Sequence, residues 1–468
     1  MTVPLDNRAL AERHGPVRPR GTRIVHLGLG NFHRAHQAWY TAHAADAADW
    51  GITAFTGRSP LQAELLRPQD GLYCLVVRGE EEDRVEVVPS ILDAWDISQL
   101  PRLTELLADR RVAIVTLTIT EAGYRLGEGG DPDLADPDTR ADLAELARVF
   151  RSGRLADAAL RATLPRLLLG LEARRRGGGG PLAIVPCDNI PDNGRFLARG
   201  LRGLAAEVSA ELADWIAAHV SFVATSVDRI TPRVDGDVAA VRDSGWIDAS
   251  PVITEPFSDW VLAGDFPAGR PEWETAGARF VDDIEPWEHR KLWLLNGAHS
   301  ILACAGLARG LETVAEAIAD PDCRALVTGF WSEAVALLPP GIEHVEYRRS
   351  LVDRFANARI VHRLEQIAGD ATAKVRYRLA AVAERTVARG THPTGSLPAL
   401  AAWVVAVRRG ILPPDASADE LARASRAGDD VAAIVAVVSP SLAARPESVS
   451  AVRLLVDRAS TTTVDVTL

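Results

Sequence analysis

The feature that most constrains the fold is an alternation of short apolar runs with helical stretches through the first half of the chain. Arg23–Leu29 and Ile52–Arg58 are apolar and β-branched, and Ala35–Ala45 between them has helical periodicity. A strand, a helix and a strand in succession form a βαβ unit with parallel strands. Val112–Thr120 and Pro181–Asn189 are apolar almost throughout, as strands buried on both faces should be. We therefore predict an α/β fold with a doubly wound, mostly parallel sheet.

The pattern changes near Glu285, where amphipathic helical stretches begin to follow one another. This change predicts a second, mostly helical domain after the sheet domain. Before it, Leu155–Arg176 is predicted as one helix and Ser221–Pro232 as one strand with a polar end. The segment from Ser441 onward has no pattern that favours any element.

Charge and cysteine usage exclude several classes of function. Lys and Arg number 52 against 63 Asp and Glu, so the formal charge is −11, and an acidic chain without a basic block argues against nucleic-acid and anionic-membrane partners. No apolar run approaches the roughly 18 residues of a membrane span, and no secretory signal is recognisable. The 4 cysteines form no CxxC pair, which argues against a zinc site or a disulfide framework. We expect a cytoplasmic protein with a small-molecule partner, in an oligomeric state that the sequence leaves undetermined.

A glycine-rich turn, Gly28–Phe32, follows the first predicted strand and opens a helix. Gly28 and Gly30 would allow a tight turn and the close approach of a pyrophosphate, and the helix start at Asn31 and Phe32 would supply N–H donors. His33 stands where the dinucleotide fingerprint has its third glycine, so an ordinary strand-to-helix turn is the alternative.

The end of the second predicted strand bears on the choice of cofactor. It carries Arg58 but not the Asp or Glu that would bind the ribose hydroxyls of NAD. Arg58 could accept the 2′-phosphate of NADP, stack on adenine, or be solvated. The strand end therefore leaves the choice between NAD and NADP open.

The densest chemistry lies on the helix predicted from Glu285 to Ser300. In ideal α-helical geometry with Lys291 at zero, Glu288 falls near ~60° and His299 near ~80°. Asn296 falls near ~140°, so four polar groups share one side of an apolar helix. The stripe is either one wall of a pocket or a face without a functional role. In the second case Lys291 is a surface lysine and His299 is a histidine of the core.

As a pocket wall, these residues suit alcohol oxidation. A secondary alcohol gives hydride to a nicotinamide only if its proton leaves, and Lys291 would take it if burial lowered the lysine pKa from about 10.4 toward about 7–8. Asn296, with Asn189 at the polar end of a predicted strand, would donate to the developing alkoxide. His299 would bind a neighbouring hydroxyl, and Glu288 would relay the proton to solvent. No metal is expected, because the histidines near residue 33 are loosely spaced and lack acidic partners.

Several segments together resemble the mannitol dehydrogenase family, the long-chain polyol-specific dehydrogenases. They are IVHLGLGNFHRAHQAWYT, QDGLYCLVV, LTITEAGY, CDNIPDNG, VDRITP, EPFSDWV, GRPEWE, KLWLLNGAHS and RFANARIVHRLEQIAGDATAK. The resemblance implies a Rossmann-type dinucleotide-binding domain with extra strands over residues 1–285 and a mostly helical substrate-binding domain over residues 286–468. It implies Lys291 as the catalytic lysine, Asn189 and Asn296 as alkoxide-binding residues, and substrate contacts from His299 and Asp228.

Within the family, CDNIPDNG, HRLEQIA and the serine after NGAH are more similar to fructuronate reductases (mannonate dehydrogenases) than to mannitol 2-dehydrogenases. GDATAK departs from the commoner DGSxK. We assign Lys374, and after it Arg378, to the distal end of the substrate, where a uronate has a carboxylate and a polyol has none. Solvated helix charges are the alternative for both.

These observations predict a metal-independent, NAD(P)-dependent oxidoreductase that interconverts D-mannonate and D-fructuronate, with NAD slightly favoured over NADP. Mannitol 2-dehydrogenase or another polyol dehydrogenase is the nearest alternative. A 6-phosphogluconate or β-hydroxyacid dehydrogenase would need a phosphate-binding cluster that the sequence does not offer. A non-catalytic nucleotide-binding sensor is the alternative from another class.

Overall fold

The structure, a computed structural model, describes residues 2–15, 17–232 and 238–461. The chain divides into two compact units, Met1–Glu285 and Pro286–Leu468. Within the described residues, no helix is both long enough and apolar enough to cross a bilayer.

The strands of the first unit establish its fold class. In the described residues they are β1 (Val3–Pro4), β2 (Thr22–Leu27), β3 (Gly51–Phe55), β4 (Tyr73–Arg78), β5 (Asp83–Val88), β6 (Ile91–Trp95), β7 (Ile114–Leu117), β8 (Leu182–Pro186), β9 (Val220–Phe222), β10 (Ala224–Asp228), β11 (Trp246–Ile247), β12 (Val252–Thr254), β13 (Asp259–Ala263) and β14 (Arg279–Phe280). The main, 6-stranded sheet has the order β6-β3-β2-β7-β8-β9, and every neighbouring pair in it is parallel. Counted from β2, this is the 3-2-1-4-5-6 order of a Rossmann fold. The predicted fold class is confirmed.

Both faces of the main sheet are buried, which explains why its central strands are apolar throughout. Every residue of β3 and β7 is buried. On one face, alternate strand residues pack with Leu103 and Leu167, and on the other they pack with Tyr40 and Trp260. Covering of both faces is typical of parallel sheets.

Most helices of the first unit cover the two faces of this sheet, whereas the first and the last of them pack in a separate apolar cluster. In the described residues they are α1 (Asn7–His14), α2 (Asn31–Ala35), α3 (Gln37–His43), α4 (Leu61–Leu66), α5 (Leu100–Ala108), α6 (Glu121–Tyr124), α7 (Pro137–Ser152), α8 (Thr163–Gly177), α9 (Asn193–Ala206), α10 (Ala210–His219) and α11 (Ala239–Asp243). The single helix predicted over Leu155–Arg176 is wrong in its first eight residues. The Asp142 carboxylate accepts from the backbone N–H groups of Arg161 and Ala162, which fixes a turn there, and α8 begins only at Thr163.

The strand predicted over Ser221–Pro232 is two strands in different sheets. β9 pairs in parallel with β8, whereas β10 pairs antiparallel with β13 in a 3-stranded sheet, β10-β13-β14. An apolar run shows that both segments are buried but does not show which neighbour each one pairs with. The division leaves Asp228 at the end of β10, opposite Asp259.

The second unit is helical, with no strand in its described residues. Its helices are α12 (Glu285–Arg290), α13 (Ala298–Ala308), α14 (Val314–Ala319), α15 (Pro321–Leu337), α16 (Val345–Ala356), α17 (Leu364–Ala368), α18 (Ala371–Val375), α19 (Ala381–Ala388), α20 (Ser396–Arg408), α21 (Ala418–Ala424), α22 (Asp430–Val438), α23 (Pro440–Ala443) and α24 (Pro446–Thr461). Two π-helical segments interrupt this pattern: Lys291–Gly297 joins α12 to α13, and Arg376–Ala380 joins α18 to α19. The unassigned tail therefore contains a long helix, α24, which packs against α20.

A buried carboxylate, Glu333 on α15, links three helices of this unit. It accepts hydrogen bonds from the Thr386 hydroxyl on α19, the Gly395 N–H, and both the N–H and the hydroxyl of Ser396 on α20. A Cβ at Gly395 would lie 2.2 Å from the Gly329 carbonyl oxygen, so the α20 start lies directly against α15. Helix α13 packs against both α15 and α20.

Candidate active site

The glycine turn between β2 and α2 is locked onto the end of β7. Gly28 has φ +107°, and a Cβ there would lie 2.5 Å from the Thr118 carbonyl oxygen. The Thr118 hydroxyl donates to the Gly28 carbonyl at 2.8 Å. Position 28 therefore requires glycine for conformational and for steric reasons. The turn lies between β2 and β7, where the strand order reverses and where ligands of such sheets bind.

Gly30 has a different requirement. A Cβ at this position would meet no atom closer than the Gly28 carbonyl oxygen at 3.6 Å, so the protein itself leaves space there. The first residue of α2 follows, with N–H groups at the helix start. Open space above a glycine beside helix N–H donors fits a dinucleotide pyrophosphate.

Asn31 and Phe32 are held by neighbouring side chains at the start of α2. The Asn31 carboxamide oxygen accepts from the buried Arg34 guanidinium at 2.8 Å, and Phe32 stacks on His36 with ring centroids 5.0 Å apart. The oxygen of Asn31 is thus bonded inside the protein, which orients its NH₂ group away from Arg34.

His33, at the position of the missing third glycine, packs α2 against the sheet. Its buried ring stacks on His26 of β2 with centroids 3.3 Å apart, and the two rings are inclined by 7°. The His26 ring contacts the hydroxyls of Thr116 at 2.8 Å and Thr118 at 3.2 Å. Burial lowers the pKa of His26 to about 3, and burial together with His26 lowers the pKa of His33 well below its usual value. Two neutral rings thus replace the close glycine contact of the usual fingerprint.

Arg58 is exposed beyond the end of β3. The nearest strand-end carboxylate is on the neighbouring strand: Asp96 follows β6 and accepts from the Thr56 hydroxyl at 3.3 Å and the Ser98 N–H at 2.9 Å. The hydrogen bonds to Ser98 hold the pKa of Asp96 below its usual value, so the group is ionised. A cavity of about 660 Å³ here is lined by Asp96, Trp95 and residues of α4. Its size is in the usual range for small ligands.

Asn189 lies in an exposed loop whose two ends are fixed. The Tyr124 hydroxyl donates to the Asp188 carboxylate at 2.5 Å, and the other Asp188 oxygen accepts the Ile190 N–H at 3.0 Å. Asn193 accepts the Thr225 N–H at 2.8 Å on the far side of the loop. The sequence analysis missed Tyr124 and Asp188, although both stand in the motifs LTITEAGY and CDNIPDNG.

Asp228 is buried at the carboxyl end of β10, and its exposed fraction is 7%. Its partner in the antiparallel pair, Asp259, accepts a hydrogen bond from Arg279 at 2.8 Å. The Arg279 guanidinium thus offsets part of the negative charge at this sheet edge.

The helix that carries Lys291 and Asn296 is not the ideal α-helix that the sequence analysis assumed. Lys291–Gly297 is π-helical, with hydrogen bonds that join residues five apart. Asn296 is five residues after Lys291, so the π-turn brings it close to the face of Lys291 rather than ~140° away. Lys291, Asn296 and Glu288 are all half-buried, and the Asn296 carboxamide forms no hydrogen bond within the described residues.

His299 lies in the first turn of α13 among other rings. Its centroid is 4.9 Å from Phe355 and 5.0 Å from His362, and its buried Nε2 has no hydrogen-bond partner within the described residues. Burial first, and then His362 and the nearby arginines and lysine, lower its pKa well below the usual value. His299 is therefore a neutral imidazole at physiological pH.

The cations assigned to the distal end of the substrate, Lys374 and Arg378, contact neutral oxygens only. Lys374 Nζ donates to the carbonyls of Ile367, at 3.1 Å, and Gly369. Arg378 Nη1 donates to the Asn296 carbonyl at 3.2 Å and to the Ser300 hydroxyl at 3.1 Å. Within the described residues neither forms an ion pair. Burial and the charge of Arg378 lower the pKa of Lys374, and the charge of Asp370 partly offsets this effect. Burial lowers the pKa of Arg378 to about 10.

The described residues contain no group of three or more His, Cys, Asp or Glu side chains placed to hold a metal ion. The first unit has a Rossmann sheet with a glycine turn that suits a dinucleotide. The second unit has a lysine and an asparagine on one helical face. These features define a nicotinamide-dependent oxidoreductase that acts on a CH–OH group.

Comparison with known proteins identifies the family. The model of the mannitol dehydrogenase Rossmann domain matches residues 22–275, and that of the mannitol dehydrogenase C-terminal domain matches residues 283–452. The chain belongs to the mannitol dehydrogenase family, which confirms the resemblance found in the sequence.

The relatives act on different substrates. The chain is 36% identical over 460 residues to D-arabinitol 4-dehydrogenase of Ralstonia nicotianae, covering 93% of this chain and 96% of the relative. It is 34% identical to D-mannonate oxidoreductase of Escherichia coli, over 76% of this chain and 74% of that protein. The ternary complex of Pseudomonas fluorescens mannitol 2-dehydrogenase with NAD and D-mannitol is 30% identical and covers 98% of both chains, with a TM-score of 0.76.

Proposed function

We propose that the protein interconverts D-mannonate and D-fructuronate with a nicotinamide cofactor. The observation that carries the choice of an acid substrate is the pair Lys374 and Arg378. Both cations are half-buried and donate only to carbonyl and hydroxyl oxygens in the described residues. The charge of Asp370 acts on Lys374 alone, and within the described part of the chain its carboxylate forms no hydrogen bond with Nζ, so the pair keeps an excess of positive charge. A carboxylate on the substrate would supply that counter-ion through charge-assisted hydrogen bonds.

Lys291 is the proposed base in oxidation and the acid in reduction. It takes the proton of the reacting hydroxyl, while the carboxamides of Asn296 and Asn189 donate to the oxygen as negative charge develops. The nicotinamide of the bound cofactor would supply the hydride acceptor, and Gly28, Gly30 and the start of α2 would hold the pyrophosphate of the same cofactor.

The remaining polar residues bind other hydroxyls of the substrate or pass on the released proton. We assign the neutral His299 ring and the Asp228 carboxylate to other hydroxyls of the open-chain substrate. Glu288, one turn before Lys291, passes the released proton to solvent. The contacts of His299 and Asp228 with the substrate would hold the reacting hydroxyl in one position beside Lys291. Such fixed positioning raises the rate of the proton and hydride transfer.

For the cofactor, we propose NAD with some acceptance of NADP. The ionised Asp96 and the adjoining cavity suit the ribose and adenine, and the exposed Arg58 offers a cation to a 2′-phosphate. Arg58→Ala should lower kcat/KM for NADP relative to NAD by about tenfold, the effect of losing one charge-assisted hydrogen bond. An unchanged ratio would remove Arg58 from the cofactor site.

The test of the substrate is a panel of mannonate, mannitol and arabinitol with both cofactors, followed by the absorbance of reduced nicotinamide. We expect the highest kcat/KM for mannonate. Lys374→Met should raise KM for mannonate while leaving mannitol little changed. Arg376→Gln is a matched control, since Arg376 is exposed and donates to the Val437 carbonyl.

Preference for mannitol in that panel, with no effect of Lys374→Met, would instead identify a mannitol 2-dehydrogenase, the function that the relative with bound D-mannitol favours. Cofactor binding without turnover of any member of the panel would favour a sensor.

A further inference from the structure

The two π-helical segments of the second unit pack against each other. π-helices make up well under ~1% of residues in globular proteins and usually occur as single turns at functional sites. Here one of them, Lys291–Gly297, contains the proposed base, and the other, Arg376–Ala380, contains Arg378. Because hydrogen bonding returns from i→i+5 to i→i+4 where such a segment ends, backbone groups at the junction are the least well paired within the helix.

Arg378 contacts this junction directly. Its Nη1 donates to the carbonyl of Asn296, the last residue but one of the first π-segment, at 3.2 Å. The same nitrogen donates to the hydroxyl of Ser300 at 3.1 Å, one α-helical turn further along. One N–H₂ group thus joins the end of the π-segment to the start of α13. Since burial lowers the Arg378 pKa only to about 10, the group is charged at neutral pH and these are charge-assisted bonds.

We infer that Arg378 is a positioning residue that holds the Lys291–Gly297 segment in its π-helical register. In that register Asn296 lies near the face of Lys291, whereas in a regular α-helix the two would be separated by ~140°. The inference rests on the proposed roles of Lys291 and Asn296, and it gives Arg378 a function in the reaction with any substrate, charged or neutral. A role confined to the substrate carboxylate would affect acid substrates alone.

The decisive experiment compares Arg378→Ala with wild type on mannonate and on mannitol. We expect kcat to fall by about 10- to 100-fold on both substrates, the effect of losing a hydrogen bond from a charged group, while KM for mannitol changes little. Added guanidinium chloride should restore part of the kcat, and sodium chloride at equal ionic strength should not. Arg376→Ala, on the same π-segment but bonded to Val437, is the matched control and should keep its kcat.

Ser300→Ala is a milder second variant. It removes the hydroxyl that accepts from Arg378 without leaving a large cavity. Its kcat loss should be smaller, and Arg378→Ala should cost less in the Ser300→Ala background than in wild type, because the two residues share one interaction. Cofactor titration by tryptophan fluorescence reports whether each variant is folded.

Hydrogen exchange separates this inference from the proposed function. Amides of Lys291–Ser300 should exchange faster in Arg378→Ala than in wild type, whatever the substrate is. Faster exchange in an enzyme that turns over neither mannonate nor mannitol would leave the positioning contact standing and refute the proposed substrates. Unchanged exchange together with a loss confined to KM for mannonate would overturn the inference and leave Arg378 with its contact to the substrate carboxylate alone.

Discussion

Gly28 and Gly30 stand in the same turn for different reasons, and alanine substitutions can distinguish an effect on folding from an effect on cofactor binding. Gly28→Ala should destabilise the first unit by about 1–3 kcal/mol, since φ +107° is strained for alanine and the new Cβ would lie 2.5 Å from the Thr118 oxygen. Gly30→Ala should leave the melting temperature unchanged, since its Cβ meets nothing closer than 3.6 Å, but should weaken cofactor binding. Thermal unfolding without cofactor and a cofactor titration measure the two effects. Equal cofactor affinity in Gly30→Ala and wild type would place the pyrophosphate elsewhere.

Lys291 is the residue on which the proposed chemistry depends. Lys291→Ala should lower kcat by about 10²- to 10⁴-fold, the usual contribution of a general base, without loss of cofactor affinity. Steady-state turnover and fluorescence titration test the two halves of this prediction. Turnover near the wild-type rate would exclude Lys291 as the base.

The stacked pair His26 and His33 makes stability depend on pH. Burial keeps the pKa of His33 well below 6.5 in the folded chain, so the unfolded chain binds an additional proton as pH falls below 6.5. Stability is therefore lost toward acid, by about 2 kcal/mol for one such histidine between pH 6.5 and pH 5. His33→Phe keeps a stacking ring without a titrating group, and urea unfolding at both pH values should show a smaller acid loss than wild type. An equal loss would mean that the His33 ring is protonated in the folded state.

At the scale of elements, the Glu333 contact among α15, α19 and α20 should dominate the stability of the second unit. Glu333→Gln replaces an acceptor of four hydrogen bonds by a group that can accept at only one of its two positions, and should cost about 2–4 kcal/mol. Calorimetry should show a lower melting temperature for the helical unit, while the exposed Glu346→Gln serves as control. A shift within error for both variants would contradict this account.

The elements also show how far sequence reasoning reaches. Apolar runs located β2, β3, β7 and β8 because burial on both faces leaves a strong pattern, and the change to amphipathic periodicity near Glu285 predicted that the second unit is helical. Periodicity did not reveal the π-segment at Lys291, because the choice between i→i+4 and i→i+5 bonding depends on contacts such as that of Arg378 with Asn296. For the same reason Tyr124 and Asp188 were overlooked, since only their contact in three dimensions distinguishes them.

At the scale of the whole molecule, the order of the strands in the main sheet could not be predicted from the hydrophobic pattern alone. The βαβ alternation predicts parallel strands, but β2 lies between β3 and β7, which are far apart in sequence. The resemblance to a known family carried that information, and it alone proposed Asp228. Asn189 was also proposed from its place at the polar end of a predicted strand. The substrate is the opposite case, because relatives of similar identity act on arabinitol and mannonate.

The order β6-β3-β2-β7-β8-β9 has a consequence for synthesis on the ribosome. The centre of the sheet leaves the exit tunnel first, and the last of its strands, β9, ends only at Phe222. Until that point a nascent chain exposes the apolar β8 as an open edge, which invites pairing with other chains. A nascent chain that pauses or terminates before Val220 would thus be the species that most needs a chaperone to cover this edge.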